Sequence, residues 1–166
     1  VPFAEAAGAL TRETGKSPWV QHLNGLWGFR LVRGTWDIPA GWMTENADVS
    51  TWGTMRVPAN WQAENTWDTP QYTNVNYPYP VDPPFTPVDN PIGLYRRVFT
   101  PPPLWKGRRV HLHFDGVNTA FLVYVNGKEV GGSKATHLPS ELDLTPFLKE
   151  GENLLADEVY KWADRY

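Results

Sequence analysis

The chain has 166 residues, 41% of them hydrophobic, and a formal net charge of −3 at pH 7. This length and composition fit one domain with a single core, and so mild a charge excludes nucleic acid or a membrane surface as a partner bound through charge alone. The absence of cysteine excludes disulfides, thiolate metal sites and cysteine nucleophiles, and the absence of an apolar run of about 18 residues excludes a membrane-spanning helix.

Residues 1–18 are predicted to form an N-terminal arm, and the domain itself is predicted to span residues 19–166. The arm contains an apolar, alanine-rich cluster with the composition for one helical turn, but Gly8 interrupts it. Because the arm has no long apolar face, we expect it to dock on the domain or on a neighbour. Val1 is not followed by a signal-peptide pattern, so a cytoplasmic location is expected.

The first part of the domain alternates in the manner of a β-strand. In residues 26–32, Trp27, Phe29 and Leu31 fall on one face, which predicts a half-buried strand with Trp27 in the core. Residues 34–54 are rich in Gly, Thr, Asn and Asp and carry three tryptophans, which predicts a long loop pinned by indole rings. A sharp turn is expected around residues 58–62.

A proline-rich stretch follows. Six prolines fall between positions 78 and 91, and because each one fixes φ and removes an amide donor, no helix can pass through this stretch. Aromatic side chains such as Tyr72, Tyr79 and Phe85 supply anchors that a disordered linker lacks, so we predict an ordered, extended loop. Residues 94–99 are then predicted to form a strand.

Turn signals divide the rest of the chain into short strands. Residues 107–114 are predicted to form one strand, and Asn126-Gly127 predicts a type I′ hairpin turn. Thr145-Pro146 predicts the start of a short helix that Gly151 ends, and residues 154–162 form the last predicted strand. Many short strands with almost no helix predict an all-β sandwich.

A series of short residue blocks carries a further signal. The blocks are Leu23-Asn24-Gly25-Leu26-Trp27, Val57-Pro58-Ala59-Asn60-Trp61-Gln62, Tyr72-Thr73-Asn74-Val75, Tyr77-Pro78, Pro83-Pro84-Phe85, Asn90-Pro91, Asp115-Gly116-Val117, Val125-Asn126-Gly127, Leu138-Pro139-Ser140-Glu141 and Gly151-Glu152-Asn153. In this order they resemble the N-terminal region of the β-galactosidases of glycoside hydrolase family 2. The resemblance implies a jelly-roll β-sandwich of the galactose-binding-domain-like type, whose arm packs on other parts of the full-length enzyme.

Asn74 is the candidate substrate-binding residue. In the family that the chain resembles, the asparagine of the Tyr-Thr-Asn-Val block reaches the active site at the mouth of a barrel domain and hydrogen-bonds the galactosyl group. An amide both donates and accepts hydrogen bonds, which suits a sugar hydroxyl. From the residue type alone, the alternative is that Asn74 satisfies backbone groups of its own loop.

No pair of carboxylates identifies a glycosidase site in this sequence. Glu141 and Asp143 share one face of a predicted strand, as do His111 and His113, but both pairs fit a solvated polar face. The resemblance places the catalytic glutamates in a separate barrel domain. We therefore expect no catalytic residue, metal site or cofactor in this chain, whereas sodium and magnesium are implied for the full-length enzyme.

The nine tryptophans allow two interpretations. Most of them are expected to fill the core of the sandwich. The alternative is a self-sufficient carbohydrate-binding module, in which exposed indole rings stack on sugar rings. The candidate stacking residues are Trp36, Trp42, Trp52 and Trp67.

The last strand and the residues after it depart from the family pattern. Asp157 stands where the family has an apolar residue, on the face shared with Leu155 and Val159. A lone buried carboxylate is costly, so either that face is exposed or Asp157 has a partner. Arg165 stands where the family has Gly-Ser, and the family's second sugar-contacting aspartate belongs to a later part of the pattern.

The sequence thus predicts a non-catalytic N-terminal sugar-binding domain of a family 2 β-galactosidase, which positions a galactoside at the edge of a barrel active site. The expected partners are galactosides, bound weakly, and the remaining domains of the parent enzyme. We also expect self-association at high concentration, and no nucleic-acid or membrane partner. A purely structural domain for interdomain packing is a third alternative.

Overall fold

The computed structural model describes residues 1–64, 67–71, 79–80, 82 and 84–164. Short helices α1 and α2 span Ala6–Leu10 and Trp61–Glu64. No helix among the described residues is long and apolar enough to cross a membrane. The strands are β1 (Gly25–Val32), β2 (Gly53–Val57), β3 (Ile92–Phe99), β4 (His111–Phe114), β5 (Ala120–Val125), β6 (Lys128–Ser133), β7 (Ser140–Asp143) and β8 (Asn153–Tyr160).

The strands form two antiparallel sheets that pack face to face. The larger sheet has the order β2-β1-β3-β8-β5-β6, and the smaller sheet consists of β4 and β7. Apolar side chains of both sheets, among them Phe29, Val123 and Leu155 of the larger and Leu112 and Leu142 of the smaller, form the main core. The all-β, jelly-roll-like sandwich predicted from the sequence is confirmed.

The outer face of the larger sheet is also covered, by the long segment between β1 and β2. Trp42 of this segment is 1% exposed and packs in a second core cluster with Ile92, Leu94 and Ala156. Arg96 holds the segment in place, because its guanidinium donates hydrogen bonds to the carbonyl oxygens of Trp42 and Thr44 at 2.9 and 2.8 Å. Strand β8 is therefore buried on both faces along most of its length.

Local signals predicted some elements well and others only in part. Asn126 and Gly127 have φ of 52° and 80°, as the predicted hairpin turn requires. The strand predicted at 107–114 is shorter, since Gly107 turns the chain at φ 76° and β4 begins at His111. The predicted helix is a 3₁₀ turn over Thr145–Phe147, whose threonine hydroxyl accepts from the Val110 amide instead of capping a helix.

The N-terminal segment contacts the rest of the chain near residues 18 and 19, where the segment ends. The Ser17 hydroxyl donates to the Pro2 carbonyl oxygen at 2.5 Å, which folds the first residues back on themselves. The Trp105 indole then donates to the Pro18 carbonyl oxygen at 2.8 Å, and the Arg108 guanidinium lies 3.9 Å from the Trp19 ring centroid. These contacts fix the start of the domain, whereas α1 buries none of its residues.

Candidate functional site

A cavity of about 640 Å³ lies between the larger sheet and the segment that follows β4. This volume falls within the range of pockets that hold small ligands or side chains of a partner. Aromatic side chains form its apolar walls, and several amides, carboxylates and imidazoles also face it. The aromatic residues are Trp27, Trp61, Tyr95, Phe114 and Trp162, and the polar residues include Asn60, Gln62, His113, Asp115, Asn118, His137, Asp157 and Lys161.

Asp157 is a buried acidic residue that faces this cavity. It lies on the inner face of β8, in register with Tyr95 of β3 and Val123 of β5, and it is 5% exposed. Its Oδ1 atom is buried and has no hydrogen-bond partner. Burial raises the pKa of the Asp157 carboxyl to about 8. The alternative that this face is exposed is therefore wrong, and the alternative that Asp157 has a partner does not hold for its Oδ1 atom.

The neighbouring carboxylate shows how the same strand accommodates a buried acid on its other face. Glu158 is also 5% exposed, but the Tyr160 hydroxyl donates a hydrogen bond to it. Burial raises the pKa of Glu158, and the hydrogen bonds from Tyr160 and Tyr124 oppose that rise. The two adjacent acidic residues thus differ in their hydrogen bonds. Tyrosine hydroxyls donate to Glu158, whereas the Oδ1 atom of Asp157 has no donor.

A buried ion pair fixes the chain ahead of the proline-rich loop. Lys161 Nζ lies 2.5 Å from Asp68 Oδ1, and both side chains are less than one-tenth exposed. The Trp61 indole donates to the other oxygen, Asp68 Oδ2, at 2.6 Å. This network joins α2 and the residues that follow it to the segment after β8.

A second set of contacts fixes the chain after the loop. The Asn90 side chain donates to the Trp162 carbonyl oxygen and accepts from the Trp162 amide, both at 2.9 Å. The Lys161 amide donates to the Pro91 carbonyl oxygen at 2.9 Å, and the Tyr79 hydroxyl donates to the Ala163 carbonyl oxygen at 2.8 Å. Both flanks of residues 72–78 are therefore tied to the segment that follows β8.

No pattern in the amino-acid sequence predicts these anchors. Asp68, Asn90 and Lys161 are single polar residues far apart in the chain, and no spacing rule brings them together. Asn74, the predicted sugar contact, lies outside the described residues, so its role stays a prediction. The only signal that pointed to the network was the expectation that aromatic side chains anchor the loop, and Tyr79 does so.

The four candidate stacking tryptophans divide into two pairs. Trp36 and Trp67 are 58% and 42% exposed, and the Arg33 guanidinium lies 5.5 Å from the Trp67 ring centroid. Trp42 and Trp52 instead stack on each other with ring centroids 6.2 Å apart. Because Trp42 is in the core, it presents no ring face to a ligand, and the prediction that it is an exposed platform is wrong.

The polar face of the smaller sheet consists of ion pairs. His113 Nδ1 lies 3.0 Å from Glu141 Oε1, and Arg109 lies 3.0 Å from Asp143 Oδ2. Hydrogen bonds from the Thr145 hydroxyl and amide, followed by Arg109, lower the pKa of Asp143 to about 2. No group of three histidine or acidic side chains among the described residues could hold a metal ion.

The jelly-roll-like sandwich defines the chain as a β-sandwich domain, an architecture that also occurs in lectin and viral capsid domains. The family described as "Glycosyl hydrolases family 2, sugar binding domain" matches residues 20–166. The chain belongs to this family.

Curated relatives and solved structures agree with this family. A β-galactosidase of Priestia megaterium is 38% identical over 169 residues, which cover 99% of this chain and 16% of the relative. A β-galactosidase of Psychromonas ingrahamii is 44% identical over 89% of this chain and 14% of the relative. A β-glucuronidase from an uncultured Clostridium species aligns with a TM-score of 0.62 and 28% identity, over 84% of this chain and 21% of that one. The chain thus spans about one-sixth of the length of these curated relatives.

Proposed function

We propose that this chain is the non-catalytic N-terminal sugar-binding domain of a family 2 β-galactosidase, and that it helps to position a galactoside at the edge of a barrel active site formed by another domain. The observation that carries the proposal is the family match over residues 20–166. The β-galactosidase relatives, which extend far beyond the matched region, support the presence of a larger parent enzyme.

Asn74 is the residue that we assign to the sugar. Its block, Tyr72-Thr73-Asn74-Val75, lies between Asp68 and Tyr79, two of the side chains that anchor the loop flanks to the segment after β8. Both anchors tie the chain on either side of the Asn74 block to the same segment after β8.

The isolated chain should bind galactose weakly. One neutral hydrogen bond contributes roughly 1 kcal/mol net, whereas a millimolar complex requires about 4 kcal/mol. Asn74 alone does not reach that value, and under this proposal the other sugar contacts come from the parent enzyme. Hydrolysis should also be absent, because a glycosidase needs two carboxylates at a set separation, and we assign that pair to the barrel.

The binding-module alternative rests on Trp36 and Trp67, which are 58% and 42% exposed. Indole stacking on a sugar face would add to the single hydrogen bond of Asn74 and so raise the affinity. The choice between the two functions is therefore a question of measured affinity.

Calorimetric titration of the purified chain with galactose and lactose tests the proposal, together with an assay on a chromogenic galactoside. The proposal predicts no turnover and a dissociation constant weaker than about 1 mM. Sub-millimolar affinity that is lost in a Trp36→Ala or Trp67→Ala variant would establish the binding module instead. Trp19→Ala is the matched control, because the Arg108 guanidinium lies 3.9 Å from the Trp19 ring centroid, nearer than Arg33 lies to the Trp67 ring at 5.5 Å, and because the binding-module alternative assigns no sugar to Trp19. The cytoplasmic location of the parent enzyme stays a prediction.

A further inference from the structure

Among the described residues, neither edge of the smaller sheet, whether that of β4 or that of β7, pairs with a further strand. β4 pairs with β7 through four residue pairs, from His111–Asp143 to Phe114–Ser140. Within the described ranges, no strand pairs with the opposite edge of β4. A free edge presents unpaired N–H and C=O groups, which are the groups that an additional extended segment needs in order to pair.

The free edge adjoins the cavity. His113 and Phe114 of β4 line the cavity, as do the residues at 115–118 that follow the strand. Opposite them stand the aromatic side chains Trp27, Trp61 and Tyr95. A segment that paired with β4 would therefore place alternate side chains over an aromatic, largely apolar surface.

The polar groups that face the cavity are not all paired. Asp157 carries a buried oxygen without a hydrogen-bond partner. Lys161 is the cation among the described lining residues, and Asp68 already pairs with it at 2.5 Å. His113 is held between the carboxylates of Glu141 and Asp115. A cationic hydrogen-bond donor that reached Asp157 would pair with the ionised form of its carboxyl group, which has no donor at Oδ1 among the described residues.

We propose that the free edge of β4 and the cavity bind an extended chain segment of the parent enzyme, with alternating apolar residues and one arginine whose guanidinium pairs with Asp157. The inference rests on the proposed function, because it gives the chemistry of the segment that packs on this domain. Arginine fits better than lysine, since its planar guanidinium forms two parallel hydrogen bonds to a carboxylate and stacks on aromatic rings such as Trp27 and Tyr95.

The test titrates this chain with two capped peptides that differ at one position. The first is Ac-Val-Thr-Val-Thr-Arg-Thr-Val-NH2, and the second has glutamine in place of the arginine. We expect the arginine peptide to bind about tenfold more tightly, which is the factor that a hydrogen bond to a charged group supplies. Binding should also slow amide hydrogen exchange within His111–Phe114, at the alternate amides that point away from β7 and would gain partners along the free edge.

Variants of the chain show whether Asp157 is responsible. Asp157→Asn and Asp157→Val should each remove the preference for the arginine peptide, and two variants of different polarity guard against the failure of one to fold. Asp115→Asn is the matched control, since Asp115 lines the same cavity but is exposed, and it should leave the preference intact.

Three outcomes would overturn the inference. The first is equal affinity for the two peptides, and the second is a preference that persists in both Asp157 variants. The third is binding of free N-ethylguanidinium as tight as that of the arginine peptide, which would assign the cavity to a small cation instead of a chain segment. None of these outcomes bears on Asn74, whose role is measured by galactoside affinity and turnover.

Discussion

Replacing Asp157 by valine should stabilise the isolated chain. Valine branches at Cβ and aspartate at Cγ, but both side chains are short, so the substitution mainly exchanges a carboxyl group for methyl groups. It also suits a central strand that packs against Tyr95 and Val123. The gain in stability comes from removing the Asp157 carboxyl group. Folding buries this group and leaves its Oδ1 atom without a hydrogen-bond partner, which is costly.

The size of the effect follows from the pKa of Asp157, which burial raises from 3.8 to about 8. At pH 7 the carboxyl is ionised in the unfolded chain and protonated in the folded one, so folding takes up a proton. At about 1.4 kcal/mol per pH unit between the unfolded pKa and pH 7, this uptake costs about 4 kcal/mol. The folded state binds the proton more tightly, so the stability of the unmodified chain should fall as the pH rises from about 4 to about 8.

Urea denaturation followed by tryptophan fluorescence at pH 4, 7 and 8.5 measures this effect. The valine variant should unfold at a higher urea concentration at pH 7, and its advantage should shrink towards pH 4, which is close to the unfolded pKa of 3.8, so that folding there takes up only part of a proton. Glu129→Val, at an exposed position of β6, is the control and should change the stability by less than about 0.5 kcal/mol at every pH. An unchanged or lower urea midpoint of the valine variant at pH 7, or a gain in stability that does not change with pH, would show that burial of Asp157 does not cost this free energy.

Three further predictions concern stability and association. Lys161→Met should lower the free energy of unfolding by about 3–5 kcal/mol, because it leaves Asp68 buried without its cation; a urea midpoint unchanged from the parent chain would contradict this. Gly132→Ala should also lower the midpoint, since an added Cβ would lie 2.1 Å from the Phe121 carbonyl oxygen, whereas Gly28→Ala makes only ordinary contacts and should be better tolerated. The free β4 edge and the open cavity should cause self-association at high concentration, and light scattering that shows a strict monomer into the millimolar range would argue against it.

The sequence predicted the features of the fold that depend on neighbouring residues. Alternation placed Trp27 and Phe29 in the core, and Asn126-Gly127 located the tight hairpin, because period-two patterning and positive φ are local properties. The predicted loop at 34–54 was correct for most of its length, although β2 begins at Gly53.

Features that depend on distant parts of the chain could not be predicted in this way. Trp42 sits in a loop that by composition alone belongs on the surface, yet it is buried because Arg96, 54 residues later, holds that loop against the sheet. Asp68 and Lys161 pair across 93 residues. The protonation state of Asp157 depends on the surfaces that cover both faces of β8. The alternation of residues along one strand indicates the environment of only one of those faces.

The proposed function makes this chain the sugar-positioning domain of a β-galactosidase, with Asn74 as its contact to the substrate. The most direct measurement replaces the matching segment of the Priestia megaterium β-galactosidase with this chain and compares kcat/KM for a chromogenic galactoside with and without Asn74→Ala. Asn46→Ala, at an exposed position outside the proline-rich loop, is the matched control. We expect an active chimera in which Asn74→Ala lowers kcat/KM by about tenfold or more, while Asn46→Ala leaves kcat/KM unchanged. A tenfold loss is the factor expected when a hydrogen bond to the sugar is lost and its partner is left unpaired. An active chimera in which both variants retain the full kcat/KM would contradict the proposed function.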